Sequence, residues 1–211
     1  MSTRQASVDD SCANLSFTRV EQYYSRRFRD AMQIYLSEFH SSRLPITKVL
    51  SLLRTESYQL FAVQDAEQVL AMALIWVCAR PAFVHLDYIA VKREWKGRGI
   101  GTAFYRWLIE HLGQLSSRAR LLTLEVEDEL LGFYRRNQTQ ILHDVPYLFP
   151  ASRGPLPMHL MVYDRQARTT LSRTVVQDII RALYRGIHNR GADDVLLRSF
   201  ISRVPQRVSL L

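Results

Sequence analysis

Trp95-Lys96-Gly97-Arg98-Gly99-Ile100-Gly101-Thr102 places three of the chain's eight glycines within five residues. Phe83–Val91 ahead of it reads as a strand. Ile100–Leu112 behind it reads as a helix, with Ile100, Ala103, Phe104, Trp107, Leu108 and Leu112 at i, i+3, i+4, i+7, i+8 spacing on one face. A strand, a glycine turn and a helix in that order present bare backbone N–H groups at the positive end of a helix, with cations alongside. Such a site suits phosphate or pyrophosphate. A plain flexible turn is the competing reading. A nucleotide P-loop is excluded, because no Lys-Ser or Lys-Thr follows the last glycine. A dinucleotide fingerprint fits badly: the spacing is GxGxG, and Lys92 to Lys96 intervene between strand and glycines. The segment points to a cofactor-dependent enzyme.

Ser16–Val20 reads as a strand, and Tyr23–Glu38 and Ile46–Leu53 as helices. Tyr58–Val63 and Val69–Val77 form a hairpin around Asp65-Ala66-Glu67. After the glycine helix come a strand at Leu121–Glu127, a short helix around Glu129–Arg136, and strands at Ile141–Leu148 and Met158–Tyr163. This order gives an α/β fold with a central mixed sheet flanked by helices. Beyond Asp164 two amphipathic helices follow, one carrying Val175, Val176, Ile179, Ile180, Leu183 and Ile187, the other Leu196, Leu197, Phe200, Ile201 and Val204. Each apolar stripe needs a partner surface, on the same domain or on a second subunit; a homodimer through these helices is the expectation. The organisation is a polar segment (1–15), a folded domain (16–164) and a basic helical extension (165–211).

With 211 residues, 47% of them hydrophobic, the chain can bury one sizeable core. Residues 165–211 hold +6 of the +8 net charge. Their arginines alternate with apolar residues, which favours a solvated helix face over nucleic-acid binding. Cys12 and Cys78 make no CxxC, residues 1–15 lack an apolar leader stretch, and no apolar run approaches a membrane span. A reduced, cytoplasmic protein without membrane partners is expected. No spaced His/Cys/Asp cluster fits a metal and no GxSxG elbow occurs, so no metal is expected.

Leu86-Asp87-Tyr88-Ile89-Ala90-Val91-Lys92-Arg93-Glu94-Trp95-Lys96-Gly97-Arg98-Gly99-Ile100-Gly101 resembles the acetyl-CoA-binding segment of the GNAT superfamily of N-acetyltransferases. Lys96 stands at the Q/R position of that family's Q/R-x-x-G-x-G/A motif, and Gly99 and Gly101 match it. Leu124-Glu125-Val126-Glu127 and Gly132-Phe133-Tyr134-Arg135-Arg136 look like the family's fifth strand and fourth helix. The resemblance covers about residues 16–164. It implies that backbone from Gly97 through Arg98, Gly99, Ile100 and Gly101 to Thr102 cradles the CoA pyrophosphate, with Arg93, Lys96 and Arg98 meeting its charge. Ile89, Ala90 and Val91 would bind the pantetheine arm and polarise the thioester carbonyl. It also implies direct attack by a small-molecule or peptide amine, and a thiol-protonating role for Tyr134; a merely packed tyrosine is the alternative. Where the family has FYxxxGF, Gln138 replaces the glycine, and Asn137 is expected to take the left-handed backbone angles instead.

For the general base, His85 and Asp87 share a strand face with Ile89 and Val91. Polar groups in a central strand need partners or an open cleft, so either relays a proton or the two form a structural hydrogen bond. Glu125 and Glu127, together on the next strand, are alternative bases or a solvated face. His143, Tyr147, the proline-rich loop to Pro157 and Glu38-Phe39-His40 are expected around an acceptor pocket. The reading is an N-acetyltransferase; an acyl-CoA-binding module without turnover and a nucleic-acid-binding protein are the alternatives.

Overall fold

The computed structural model describes residues 15–40, 43–55, 57–66, 68–151 and 154–211. Cys12, the polar start, Ser41, Ser42 and Glu67 of the predicted turn lie outside them. In chain order the elements are β1 (Leu15–Arg19), α1 (Arg26–Glu38), α2 (Ile46–Leu53), β2 (Tyr58–Asp65), β3 (Gln68–Ala79), β4 (Ala82–Val91), α3 (Ile100–Glu110) and α4 (Leu112–Leu115). There follow β5 (Leu121–Val126), α5 (Leu131–Arg136), β6 (Gln140–Ile141), β7 (Leu148–Ala151), β8 (Gly154–Pro157), β9 (His159–Asp164), β10 (Thr170–Ser172), α6 (Arg173–Gly186), α7 (Val195–Ile201) and β11 (Arg207–Ser209). A seven-stranded mixed sheet has the order β1-β2-β3-β4-β5-β9-β6. It is antiparallel at β1–β2 and β5–β9 and parallel at β4–β5, where Val84 pairs with Leu122 and His85 with Thr123. This is the expected α/β architecture.

The chain divides into two compact units: the described residues up to Ile75 with Asp87–Glu110, and Trp76–Leu86 with His111–Leu211. In the first, β2 is buried from Tyr58 to Gln64 and β3 from Val69 to Ile75, without the alternation of a one-faced sheet. Strands covered on both faces read as continuous apolar runs. Helix α1 begins at Arg26 rather than Tyr23, because the Ser25 hydroxyl accepts from Phe28 N–H at 3.2 Å and caps it. Helix α3 buries Tyr105 and Ile109 besides Ile100, Phe104 and Leu108, a wider arc than predicted. It ends at Glu110, and α4 begins only after His111.

In the second unit, the predicted strand Ile141–Leu148 is two separate pieces. β6 pairs with β9, while β7 forms a ribbon with β8. His143-Asp144-Val145-Pro146 interrupts them, with Asp144 in the left-handed region (φ 58°). The C-terminal helices do not stand apart. Val176, Ile179, Ile180, Leu183, Leu197, Phe200 and Val204 form one core with Phe83, Leu121, Leu160 and Val162 of the sheet. Both apolar stripes find their partner surface within this unit. Three short strands were not legible: β8 falls in the expected loop to Pro157, β10 pairs with β11, and Leu211 exchanges backbone hydrogen bonds with Ile141 of β6 (2.7 and 3.1 Å). No described helix is long and apolar enough to cross a membrane.

The end of α5 corrects one expectation. Asn137 sits at φ −107°, and Gln138 itself takes the left-handed angle, φ 65°. Asn137 instead ties the helix end by donating from Nδ2 to Phe133 O at 2.8 Å. A non-glycine residue there carries strain of about 1–2 kcal/mol, partly offset in glycine by its larger unfolded-state entropy. Gln138→Gly is therefore expected to stabilise the protein by about 0.5–1 kcal/mol, read as a rise in the chemical-denaturation midpoint.

Candidate active site

The glycine turn lies in the first unit. A 3-10 turn at Arg93–Trp95 follows β4, and Lys92 N–H donates to Leu70 O at 2.8 Å, fixing where the chain leaves the sheet. Gly97 (φ 79°) and Gly99 (φ 82°) both adopt left-handed angles. Those angles explain why glycine stands at each. The first bond into α3 runs from Ala103 N–H to Gly99 O at 2.9 Å. The N–H groups of Ile100, Gly101 and Thr102 precede it and have no intrahelical acceptor, as at any helix start. A Cβ added at Gly101 would meet only Val91 Cγ2, at 3.4 Å, and one at Gly97 nothing within 4 Å. The chain's own packing therefore does little to demand glycine at 101, whereas a diphosphate resting on these amides needs the space. The residues present fit that group.

Three cations surround the turn. The Arg98 guanidinium stacks over the Trp95 ring at 4.5 Å, which fixes its stem beside the glycines. Arg93 is exposed, and Lys96 pairs with Glu38 at the end of α1. Glu38, predicted for an acceptor pocket, thus holds the lysine of the glycine motif. Ile89, Ala90 and Val91 close β4 just ahead of the turn, Ala90 buried and the other two half-buried. Also in this unit, the Asp87 carboxylate accepts from the Tyr58 hydroxyl. Tyr88 packs edge-on against Tyr35 and Phe39, and burial, then the Asp87 charge, push the Tyr58 and Tyr88 phenols well up.

The second unit holds the other polar cluster. His85 and Glu125 project from neighbouring strands with side chains only 1% and 6% exposed, and His85 Nε2 lies 3.7 Å from Glu125 Oε2. His85 Nδ1 meets Thr123 Oγ1 at 3.0 Å. Its Nε2 has no hydrogen-bond partner among the described residues. Glu125 Oε1 accepts from the Tyr147 hydroxyl and sits 2.8 Å from His188 Nε2. Burial lowers His85 to about 4, against the pull of Glu125 and with the help of His188. For Glu125 burial is the largest influence and opposes ionisation. His188, His85 and the Tyr147 hydrogen bond together outweigh it and hold the carboxyl below its usual range.

The structure thus unites His85 and Glu125, alternative bases in the sequence, with Tyr147, which was expected at an acceptor pocket. Glu127 falls past the end of β5 and is exposed, so it does not share the buried position of Glu125. His143 is a surface residue paired with Asp144 at 2.9 Å. Tyr134, on α5, is 6% exposed, and burial raises its phenol above the ordinary value. Its ring meets Phe133 edge-on at 5.0 Å. His188 was missed altogether. Its signal was present: Ile180 and Tyr184 are buried on α6, and His188 continues their i, i+4, i+8 spacing just past the helix end. Asn189 (φ 54°) then reverses the chain, with Arg190 N–H donating to Tyr184 O at 2.7 Å. Among the described residues, no group of three His, Cys, Asp or Glu side chains is arranged to hold a metal.

Residues 19–138, more than half of the chain, match the model of the acetyltransferase (GNAT) family. Among solved structures, a protein assigned to that family from Bacteroides thetaiotaomicron superposes with a TM-score of 0.70 at 16% identity, covering 83% of this chain and 99% of that one. The ribosomal-protein-S18-alanine N-acetyltransferase of Escherichia coli gives 0.56 at 19% identity, over 71% and 93% of the two chains. NAA60 of Arabidopsis thaliana, solved in complex with acetyl-CoA, gives 0.57 at 12% identity, over 72% and 99%. An uncharacterized protein of Dictyostelium discoideum is 27% identical over 111 residues, which are 52% of this chain and 25% of that protein. The three structures share the fold, and the family match spans β4, the glycine turn, β5 and α5. The chain belongs to the GNAT family of acetyltransferases.

Proposed function

We propose that this protein is an N-acetyltransferase that moves the acetyl group of acetyl-CoA to a primary amine by direct attack in a ternary complex. The observation that carries this reading is the pair of left-handed glycines opening α3, inside the family-matched residues. Acetyl-CoA supplies an activated thioester. The amides from Gly97 to Thr102 receive its diphosphate, with Arg93, Lys96 and Arg98 countering the charge. Backbone of Ile89, Ala90 and Val91 takes the pantetheine arm.

An amine acceptor arrives as an ammonium and has two protons to lose. His85, kept neutral near pH 7 by burial, offers a lone pair for the first, which then passes to solvent. The nitrogen attacks the thioester carbon, the C–S bond breaks, and the thiolate takes a proton from the Tyr134 phenol. The second nitrogen proton replaces the one Tyr134 gave. Asp87, on the same strand as His85, adds a carboxylate that favours a cationic acceptor: a polyamine, an aminoglycoside-like amine or a protein lysine.

The test is release of free CoA from acetyl-CoA in the presence of a panel of primary amines. Tyr134→Phe should lower kcat about tenfold or more while acetyl-CoA affinity changes less than about twofold. Unchanged turnover would remove Tyr134 as the acid. Tight acetyl-CoA binding without transfer to any amine would assign the chain as a binding module instead.

A further inference from the structure

We infer that His188 is a positioning residue for the transfer reaction, pairing with Glu125 so that the carboxylate stays ionised and aimed at His85. The inference rests on the acetyltransferase reading above. It adds a residue beyond 19–138, the family-matched stretch.

A carboxylate buried as deeply as Glu125 must be neutralised or be met by a cation and donors. The Tyr147 hydroxyl is one donor, and His188 Nε2 is at ion-pair distance, 2.8 Å. The His188 ring is only 7% exposed. Phe149 holds it edge-on at 4.9 Å and Tyr184 at 5.7 Å, while the Tyr184 hydroxyl is itself fixed on Leu148 O. The imidazole is thereby restrained to one orientation, and Oε2 of Glu125 is left to face His85 Nε2, 3.7 Å away. Four titratable groups surround the carboxylate: His85 from β4, Tyr147 from the segment before β7, His188 after α6, and Tyr184 of α6 behind it. A proton that leaves the ammonium for His85 Nε2 creates an imidazolium, and only an ionised Glu125 stabilises it. His188 supplies the charge that keeps Glu125 ionised beforehand.

Two measurements on the full chain test this. Spectra of nitrogen-15-labelled histidine should show a proton on His188 Nε2 shared with the Glu125 carboxylate, a pattern lost in Glu125→Gln. In the CoA-release assay with spermidine and a lysine-bearing peptide, His188→Gln keeps a hydrogen-bond donor but no charge. It should lower kcat about tenfold or more, leave the KM for acetyl-CoA within about twofold, and move the acid limb of the pH–rate profile upward. A His188 Nε2 that carries no proton toward Glu125 would overturn the inference, as would a folded His188→Gln with unchanged kcat and pH profile. If the wild type binds acetyl-CoA and acetylates neither amine, the transfer reading fails and the positioning role falls with it. The histidine spectra still decide whether the ion pair exists.

Discussion

Gly99→Val is expected to weaken acetyl-CoA binding about 100-fold or more while the protein remains folded. Gly99 sits at φ 82°, a region a β-branched residue enters only at a cost of about 1–2 kcal/mol. The turn relieves that cost by moving, and its amides then leave the positions a diphosphate needs. Each hydrogen bond to a charged oxygen contributes about 1.5–3 kcal/mol, so losing one or two already amounts to about 100-fold in affinity. The turn is exposed or half-exposed from Lys96 to Gly99, so global stability changes little. Isothermal titration of wild type and variant measures the difference. Gly101→Ala separates two causes, because its Cβ meets only Val91 Cγ2 and requires no left-handed backbone. A comparable loss of affinity there identifies close approach of the ligand as the reason for glycine. Equal affinities in all three proteins would remove the turn from the binding site.

Acidification is expected to remove about 3 kcal/mol of stability through His85 alone. Its folded value of about 4 lies below the ordinary 6.5, so the unfolded chain takes up the proton first. Stability therefore rises with pH across that window. It is fully present above about 6.5 and is lost as pH falls toward 4, at about 1.4 kcal/mol per unit. Glu125 acts in the same direction at lower pH, since a carboxyl held below its usual range loses its contribution as the solution approaches its folded value. Urea unfolding at pH 7, 5.5 and 4.5 gives the slope. His85→Gln, which cannot take up the proton, should flatten it by nearly one proton between pH 6.5 and 4. Identical slopes for the two proteins would contradict the buried, neutral assignment of His85.

The architecture was legible because strong local signals agreed. The glycine turn, the apolar stripe after it and the continuous apolar runs of β2 and β3 all point to one mixed sheet with helices. Strand alternation put His85 and Asp87 on one face; in the structure His85 meets Thr123 and Glu125, and Asp87 accepts from the Tyr58 hydroxyl. What sequence could not supply was pairing at long range. His188 meets Glu125 across 63 residues, and Tyr147 meets it across 22. No local pattern encodes either contact. The strand at Arg207–Ser209 escaped notice because Val208 alone is buried in it, too short a run to show period-two alternation. Gln138 misled for a different reason. The backbone there is set by how α5 leaves toward β6, and tertiary context imposes the left-handed angle on a residue that does not favour it.

The most direct measurement follows backbone amide resonances of the full chain during titration with acetyl-CoA and, separately, with S-acetylpantetheine, which lacks the diphosphate. Large shifts are expected at Gly99, Ile100, Gly101 and Thr102 with acetyl-CoA and small ones with the truncated thioester. Binding that leaves those four amides unmoved, or no binding at all, would contradict that expectation.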